Sequence, residues 1–295
     1  MGGTKSLKKV DVFQSINTVF VFGFALICTL PSLLVLIVSL SDEQSIRDKG
    51  YSFWPDSFSL SAYKSLFTGN DQLLQSYMVS FGVTLIGTAA AVLITGMAGY
   101  TLANKQVRYR NKLAFFFFFT MLFNSGLVPW YMINDFLGFK NNILALIVPT
   151  LLFSPFNLFL VRNFMQELPE ELFESARIDG ASDGYIAFRI VFPLSLPVLA
   201  TVALFYGLGY WNNWFNAIML VDNEKLYPLQ YLLYKLQSEI SMVNQMQGAA
   251  ASNITLPTES FKMAVAIITI GPIVLLYPFL QRFIMKGLIV GAVKG

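Results

Sequence analysis

Six stretches of this sequence, 16–40, 77–103, 113–133, 143–161, 192–220 and 263–284, run on almost without a charge. Each is close to the roughly 20 predominantly apolar residues that a helix needs to cross the hydrocarbon core of a bilayer. Such runs leave too little polar surface for a water-soluble fold. Apolar residues make up 55% of the 295-residue chain and charged ones 13%, against about 45–50% and about 25% in soluble domains. The spacing predicts an all-α membrane protein of about six transmembrane helices, read as one transmembrane domain over 1–295. Pro31, Pro149, Pro155, Pro197, Pro272 and Pro278 fall inside the runs, where neighbouring helices or waters satisfy the freed carbonyls. The first run is too long for a signal-peptide core of about 7–15 residues and lacks a small-residue cleavage site, so it reads as a retained helix.

Basic residues orient the chain. Thirteen of the twenty fall at the two ends or in the second and fourth connections: Lys5, Lys8, Lys9, Lys105, Arg108, Arg110, Lys112, Arg162, Arg177, Arg189, Arg282, Lys286 and Lys294. Even span number then puts both termini in the cytoplasm and makes 41–76 and 221–262 long extracellular loops. Trp54, Trp130 and Tyr131 sit near expected interfaces as anchors, with ligand contact as the other reading. The run 115–119 of phenylalanines reads as a lipid-facing or packing surface.

Several chemistries are excluded. The chain has no histidine and one cysteine, Cys28, which leaves no ligand set for zinc or haem and no Cys–His or Ser–His pair. It lacks the glycine-lysine phosphate loop of nucleotide-binding chains. The chain is therefore expected to be a transport subunit, not an enzyme, without cofactor or metal. The net charge of +3 points to no nucleic-acid partner.

The fourth connection, 167–193, differs from the others. Glu167-Leu168-Pro169-Glu170-Glu171 opens a helix, since proline suits the first turn and acids suit the positive end of the dipole. That helix runs to Asp179, and Gly180 supplies a left-handed stop. Ser182 caps a second short helix ending near Ile190, which meets the fifth run at Pro193. Leu172, Phe173 and Ala176 make a small apolar knob. Between Arg162 and Arg189 stand six acids and three bases, a poor balance for a helix lying on anionic lipid. A knob that docks a protein partner is the better reading.

Here a resemblance becomes specific. Glu174-Ser175-Ala176, Gly180 four residues later, and Ile190-Val191-Phe192-Pro193 resemble the E-A-A…G…I-x-L-P loop of binding-protein-dependent ABC importer permeases. Ser175 replaces the usual alanine and Phe192 the usual leucine. Ala176-Arg177-Ile178-Asp179-Gly180-Ala181 looks like the sugar-importer branch. Ser59-Leu60-Ser61-Ala62-Tyr63 resembles the family's short external motif after the first span, Ala98-Gly99-Tyr100-Thr101-Leu102-Ala103 resembles its A-x-Y-A-L-A end of span two, and the tail 286–295 is similar to the terminus of maltose-transporter-type permeases, with Ile289 where threonine is common. Phe123-Asn124-Ser125-Gly126-Leu127-Val128-Pro129-Trp130-Tyr131 and Tyr210-Trp211-Asn212-Asn213-Trp214 look like the oligosaccharide subgroup served by lipoprotein binding proteins.

The resemblance implies the type I importer fold, with 167–193 as the coupling loop. Its partners would be a second permease chain, two ATPase subunits that hold the ATP and magnesium, an extracellular binding lipoprotein and a sugar or oligosaccharide. The setting would be a bacterial cytoplasmic membrane. It assigns ATPase coupling to Glu174, Ser175, Ala176, Asp179, Gly180, Ala181, Ile190 and Pro193, and a C-terminal ATPase contact to Gly291 and Lys294. Leu226-Tyr227-Pro228-Leu229-Gln230 resembles a segment that touches the binding protein, and 248–252 would suit a loop tip entering a ligand cleft.

Polar residues inside spans usually face the bundle interior or a water-filled cavity. Asn124, Asn157, Tyr206, Tyr210, Trp211, Asn212, Asn213, Trp214 and Asn216 are candidates for a carbohydrate pathway, because rings pack on sugar faces and amides both donate and accept. Hydrogen bonding between helices is the alternative at the same positions. Among rival functions, a proton-coupled carrier would want ionisable groups at mid-membrane, and these runs offer almost none. An ABC permease for peptides or amino acids is disfavoured by resemblance alone.

Overall fold

The computed structural model describes residues 12–67, 71–247 and 259–290. In chain order the first helices are α1 (Val12–Ser39), α2 (Glu43–Lys49), α3 (Ser61–Phe67) and α4 (Asp71–Ala103). Next come α5 (Arg110–Leu122), α6 (Leu127–Phe136), α7 (Leu144–Ile147), α8 (Pro155–Gln166) and α9 (Glu170–Ile178). The chain continues through α10 (Asp183–Tyr185), a π-helical turn (Ile186–Val191), α11 (Phe192–Leu194), α12 (Leu196–Trp211) and α13 (Phe215–Leu220). After a 3-10 turn (Glu224–Leu226) follow α14 (Leu229–Gln247) and α15 (Glu259–Val290). Extended structure among the described residues is limited to an isolated bridge between Ser41 and Phe58.

Two helices, Gln14–Ser39 and Asp71–Ala103, are individually long and apolar enough to cross a membrane. Two bent pairs bring the number to as many as four among the described residues: Arg110–Leu122 with Leu127–Phe136, and Asp183–Leu194 with Leu196–Trp211.

Three of the expected spans are therefore not continuous helices. The run 113–133 turns by 119° between α5 and α6. Gly126 sits at φ +81°, outside helical space, and the Asn124 side chain accepts from its N–H at 2.9 Å, a local turn that competes with the helix. The run 143–161 breaks between α7 and α8, where Pro149 stops one helix and Thr150 takes φ +64°. Ser154 then caps α8, with Pro155 in its first turn. The run 192–220 bends by 82° at Ser195, between Pro193 and Pro197, and pauses again at 212–214 before α13.

The chain forms two compact units, Met1–Gly69 with Asn244–Ile268, and Asn70–Val243 with Thr269–Gly295. In the first, α1 exposes Val19, Phe20, Phe22, Phe24 and Ile27, each more than 60% accessible. A helix stretch this apolar and this exposed among the described residues suits lipid. Below it, α2 ties down the first turn of α15. The Glu43 carboxylate accepts from Glu259 N (3.2 Å), Ser260 N (3.0 Å) and Ser260 Oγ (2.8 Å), which satisfies donors that a helix start leaves open. Tyr51 donates to Glu259 at 2.6 Å, and Lys262 pairs with the same carboxylate at 2.9 Å.

Burial raises the Glu259 pKa, but the bonds from Tyr51 and Lys262 outweigh it and hold the carboxyl below its ordinary value. The same bond to Glu259, then burial, pushes the Tyr51 phenol up to about 12. For a depressed carboxyl, the stabilisation is present above the ordinary carboxylate range and lost as pH falls through the lowered value. For the raised phenol, it is present below the ordinary tyrosine range and lost as pH rises toward 12. Amide protection factors at residues 259–262, corrected for the intrinsic pH dependence of exchange, are expected to be highest between those limits. In Tyr51→Phe, the alkaline loss should disappear.

In the second unit, α4 is the central helix, packing on α12 and α8. The core gathers Ala91, Leu146, Val161, Ile186, Val191 and Val202 with Tyr206 and Tyr210. The closest approach depends on Gly87, where an added Cβ would lie 2.5 Å from Tyr210 Cζ. Tyr210 is 2% accessible and donates to Ile147 O at 2.9 Å, so the ring has no room to retreat. Gly87→Ala is expected to destabilise the protein by about 1–3 kcal/mol, read as a lower thermal midpoint in detergent. An unchanged midpoint would show that α4 and α12 separate easily.

A stopped helix, a groove and a braced helix break

The segment after α8 folds as a helix, a glycine stop and a second helix. Pro169 is extended at the start of α9, and Glu170 and Glu171 fill its first turn. At the other end Gly180 has φ +80°, Ala181 N donates to Ala176 O at 2.9 Å, and Gly180 N donates to Arg177 O at 3.0 Å. Those two bonds are the Schellman stop. Ser182 then accepts from Tyr185 N at 3.3 Å and caps α10. Ile186 and Val191, both 0% accessible, anchor the far arm in the core.

The two faces of α9 differ. Ala176 is 8% accessible, and Phe173 and Ala181 pack with it on the main core. Glu174, Ser175, Asp179 and Gly180 are exposed. The expected apolar knob of Leu172, Phe173 and Ala176 is thus split: Phe173 and Ala176 turn inward, and the outward apolar residues are Leu172 and Ile178, the latter 86% accessible. Ile178 lies six residues beyond Leu172, a spacing that shares no helix face with it, so periodicity gives no signal for its exposure. Ile190 is half-buried against the core, while Pro193 is exposed.

Two contacts connect α9 to the end of α4. Lys105 pairs with Glu170, and Arg177 Nη2 donates to Asn104 Oδ1 at 3.4 Å. Between these parts lies a groove of about 590 Å3 lined by Tyr100, Gln106, Arg110, Met165, Phe173 and Arg177 among others.

At the opposite end of α12, the aromatic and amide residues brace the break between α7 and α8. Tyr206 OH is shared with Thr95 Oγ1 (2.7 Å) and accepts from Ser154 N (2.9 Å). Asn213 Nδ2 donates to Leu146 O (3.4 Å) and Asn216 Nδ2 to Pro149 O (2.9 Å). Trp211 Nε1 donates to Thr269 O at 3.1 Å. These five side chains, counting Tyr210, are all buried; Tyr206, Tyr210, Asn213 and Asn216 bond to backbone groups beside the break, and Trp211 bonds to α15. Asn157 is buried in the first turn of α8. Asn124, Asn212 and Trp214 are exposed. The structure therefore gathers Tyr206, Tyr210, Asn213 and Asn216 around one break and leaves Asn124 apart. Gly291, Lys294 and the 248–252 segment lie outside the described residues.

The described residues are helical, with apolar helices long enough to cross a membrane, a braced helix break and a stopped, outward-facing helix, features that suit a membrane transport subunit. Residues 97–290 match the model of the binding-protein-dependent transport system inner membrane component, and the chain belongs to that family. It is 38% identical over 284 residues to Protein LplC of Bacillus subtilis (strain 168), covering 96% of this chain and 95% of LplC. The polygalacturonan/rhamnogalacturonan transport system permease protein YtcP of the same organism is 38% identical over 287 residues, covering 97% and 100%. A solved structure of a bacterial ABC transporter involved in the import of the acidic polysaccharide alginate superimposes with TM-score 0.81 and 28% identity, covering 92% of this chain and 96% of that one.

Proposed function

We propose that this chain is one of two permease subunits of an ATP-driven importer, carrying an oligosaccharide delivered by an extracellular binding lipoprotein. It would lie in a bacterial cytoplasmic membrane with six spans, three of them broken, and with both termini inside. The observation that carries the reading is α9: an acidic helix, stopped by Gly180, presenting Leu172, Glu174, Ser175, Ile178 and Asp179 outward while Phe173 and Ala176 lock it to the core. Such a helix is shaped for a partner, and the partner is the ATPase subunit. Gly291 and Lys294 would supply a second contact to it.

Mechanistically, closure of two ATPase subunits on ATP would push on α9. Ala181, Ile190 and Pro193 would pass the movement to α12, and α12 to α4, so that the cavity opens outward. Hydrolysis would return it inward. The sugar reading is supported by the relatives named for polygalacturonan and alginate transport. This chain holds no ATP or magnesium of its own in the scheme, and it does no covalent chemistry.

The test is co-purification of the tagged chain from its native membrane. Recovery of a second permease, an ATPase with a phosphate loop and a lipoprotein is the expected result. Recovery of this chain alone, stable and without an ATPase, would refute the assignment.

A further inference from the structure

At the end of α12 away from α9, six aromatic rings from four parts of the chain follow one another. Trp130 of α6 lies 5.5 Å from Phe215, and Phe215 lies 6.2 Å from Trp214. Trp214 stacks on Tyr234 at 5.2 Å and 18°, and Tyr234 on Tyr231 at 6.4 Å and 19°. Tyr231 meets Tyr227 edge to face at 4.6 Å. The middle of the row is open: Trp214 is 42%, Tyr234 44% and Phe215 39% accessible. Trp214, Tyr234 and Tyr231 are close to parallel, and the ring surface that the row leaves uncovered lies on Trp214, Tyr234 and Phe215.

Polar groups border that surface. Gln230 Nε2 donates to Asn212 Oδ1 at 3.0 Å, and Asn212 Nδ2 donates to Leu208 O at 2.9 Å. Each amide keeps unused capacity, since an Asn or Gln side chain offers two donors and two acceptor lone pairs. Further along, Lys235 pairs with Glu224 at 2.7 Å and lies 5.3 Å from the centre of the Tyr227 ring. Rings alone would suit a lipid interface. Rings bordered by convergent amides suit a ligand with an apolar face and a hydroxylated rim, and a pyranose has that build.

We propose that this row is a contact track for several consecutive sugar units, with their C–H faces on Trp214, Tyr234 and Phe215 and their hydroxyls on Asn212 and Gln230. The track rests on the importer reading above and adds its location and its preference for length. A short sugar touches one ring, and a longer chain touches several, so the gain grows with chain length.

The experiment measures ATP-dependent uptake of labelled two-residue and five-residue oligogalacturonides by the assembled importer in proteoliposomes. Trp214→Ala and Tyr234→Ala are each expected to raise KM for the five-residue chain about tenfold and for the two-residue chain less than about threefold. Trp214→Phe and Tyr234→Phe, which keep a ring, should stay within about threefold for both. Co-purification of the partner subunits with each variant controls for assembly. Equal KM changes for both lengths, unchanged KM in the alanine variants, or no rescue by phenylalanine would overturn the track and leave the importer intact. Absence of uptake of either sugar by the unaltered assembly would overturn the oligosaccharide reading, and the track with it.

Discussion

Gly180→Pro is expected to lower sugar uptake at least tenfold while the importer still assembles and still hydrolyses ATP. Gly180 holds φ +80°, and proline is fixed near −65°. Proline also removes the N–H that donates to Arg177 O, one of the two bonds that stop α9. The helix end would re-form elsewhere, and the outward residues Glu174, Ser175 and Asp179 would no longer meet their partner in register. Gly180→Ala should be milder, because a left-handed non-glycine residue costs about 1–2 kcal/mol and keeps the N–H. Paired measurement of uptake and ATP hydrolysis checks this. Normal uptake by the proline variant would remove α9 from the transmission path.

The second large effect is expected at Tyr206. Its hydroxyl joins α4, through Thr95, to the first residue before α8, through Ser154 N. The residue is 3% accessible. Tyr206→Ala opens a cavity and is expected to cost about 3–5 kcal/mol. Tyr206→Phe keeps the ring but takes a partner from the buried Thr95 hydroxyl and the part-buried Ser154 N–H, at about 1–3 kcal/mol. Thermal unfolding in detergent separates the two contributions. If Tyr206→Phe matches the unaltered protein, the break is held by packing and the hydroxyl is incidental.

Both predictions show where the sequence was readable. The α9 boundaries follow from local rules: Pro169 before the first acids, Gly180 at the stop, and Ser182 as the next cap. Each acts within a few residues, so each is visible without a fold. Which way Phe173 and Ala176 face was not readable, because a nine-residue helix with apolar groups at both ends has no single apolar stripe. The membrane runs were equally plain in hydropathy. Their breaks were not, since hydropathy does not register a positive φ at Gly126 or Thr150.

The aromatic and amide residues at the end of α12 show a different limit. Tyr206, Tyr210, Asn213 and Asn216 find their partners 50–70 positions earlier in the chain, and no periodicity encodes such a pairing. Pathway lining and internal bonding were therefore equally good readings of the sequence. The structure supplies internal partners for those four, and the exposed Asn212 and Trp214 are the ones left facing outward. Tyr231 and Tyr234 carried no signal, and Gln230 only that of a segment resembling a binding-protein contact, because all three gain this meaning only once α14 lies beside Trp214.

The most direct test of the central claim is uptake by proteoliposomes that contain this chain, its second permease and its ATPase, with the binding lipoprotein added outside. Sugar should accumulate only when ATP is on the ATPase side and the loaded lipoprotein is on the other, and omission of either should stop it. Uptake by this chain alone, driven by an ion gradient and indifferent to ATP, would contradict the account.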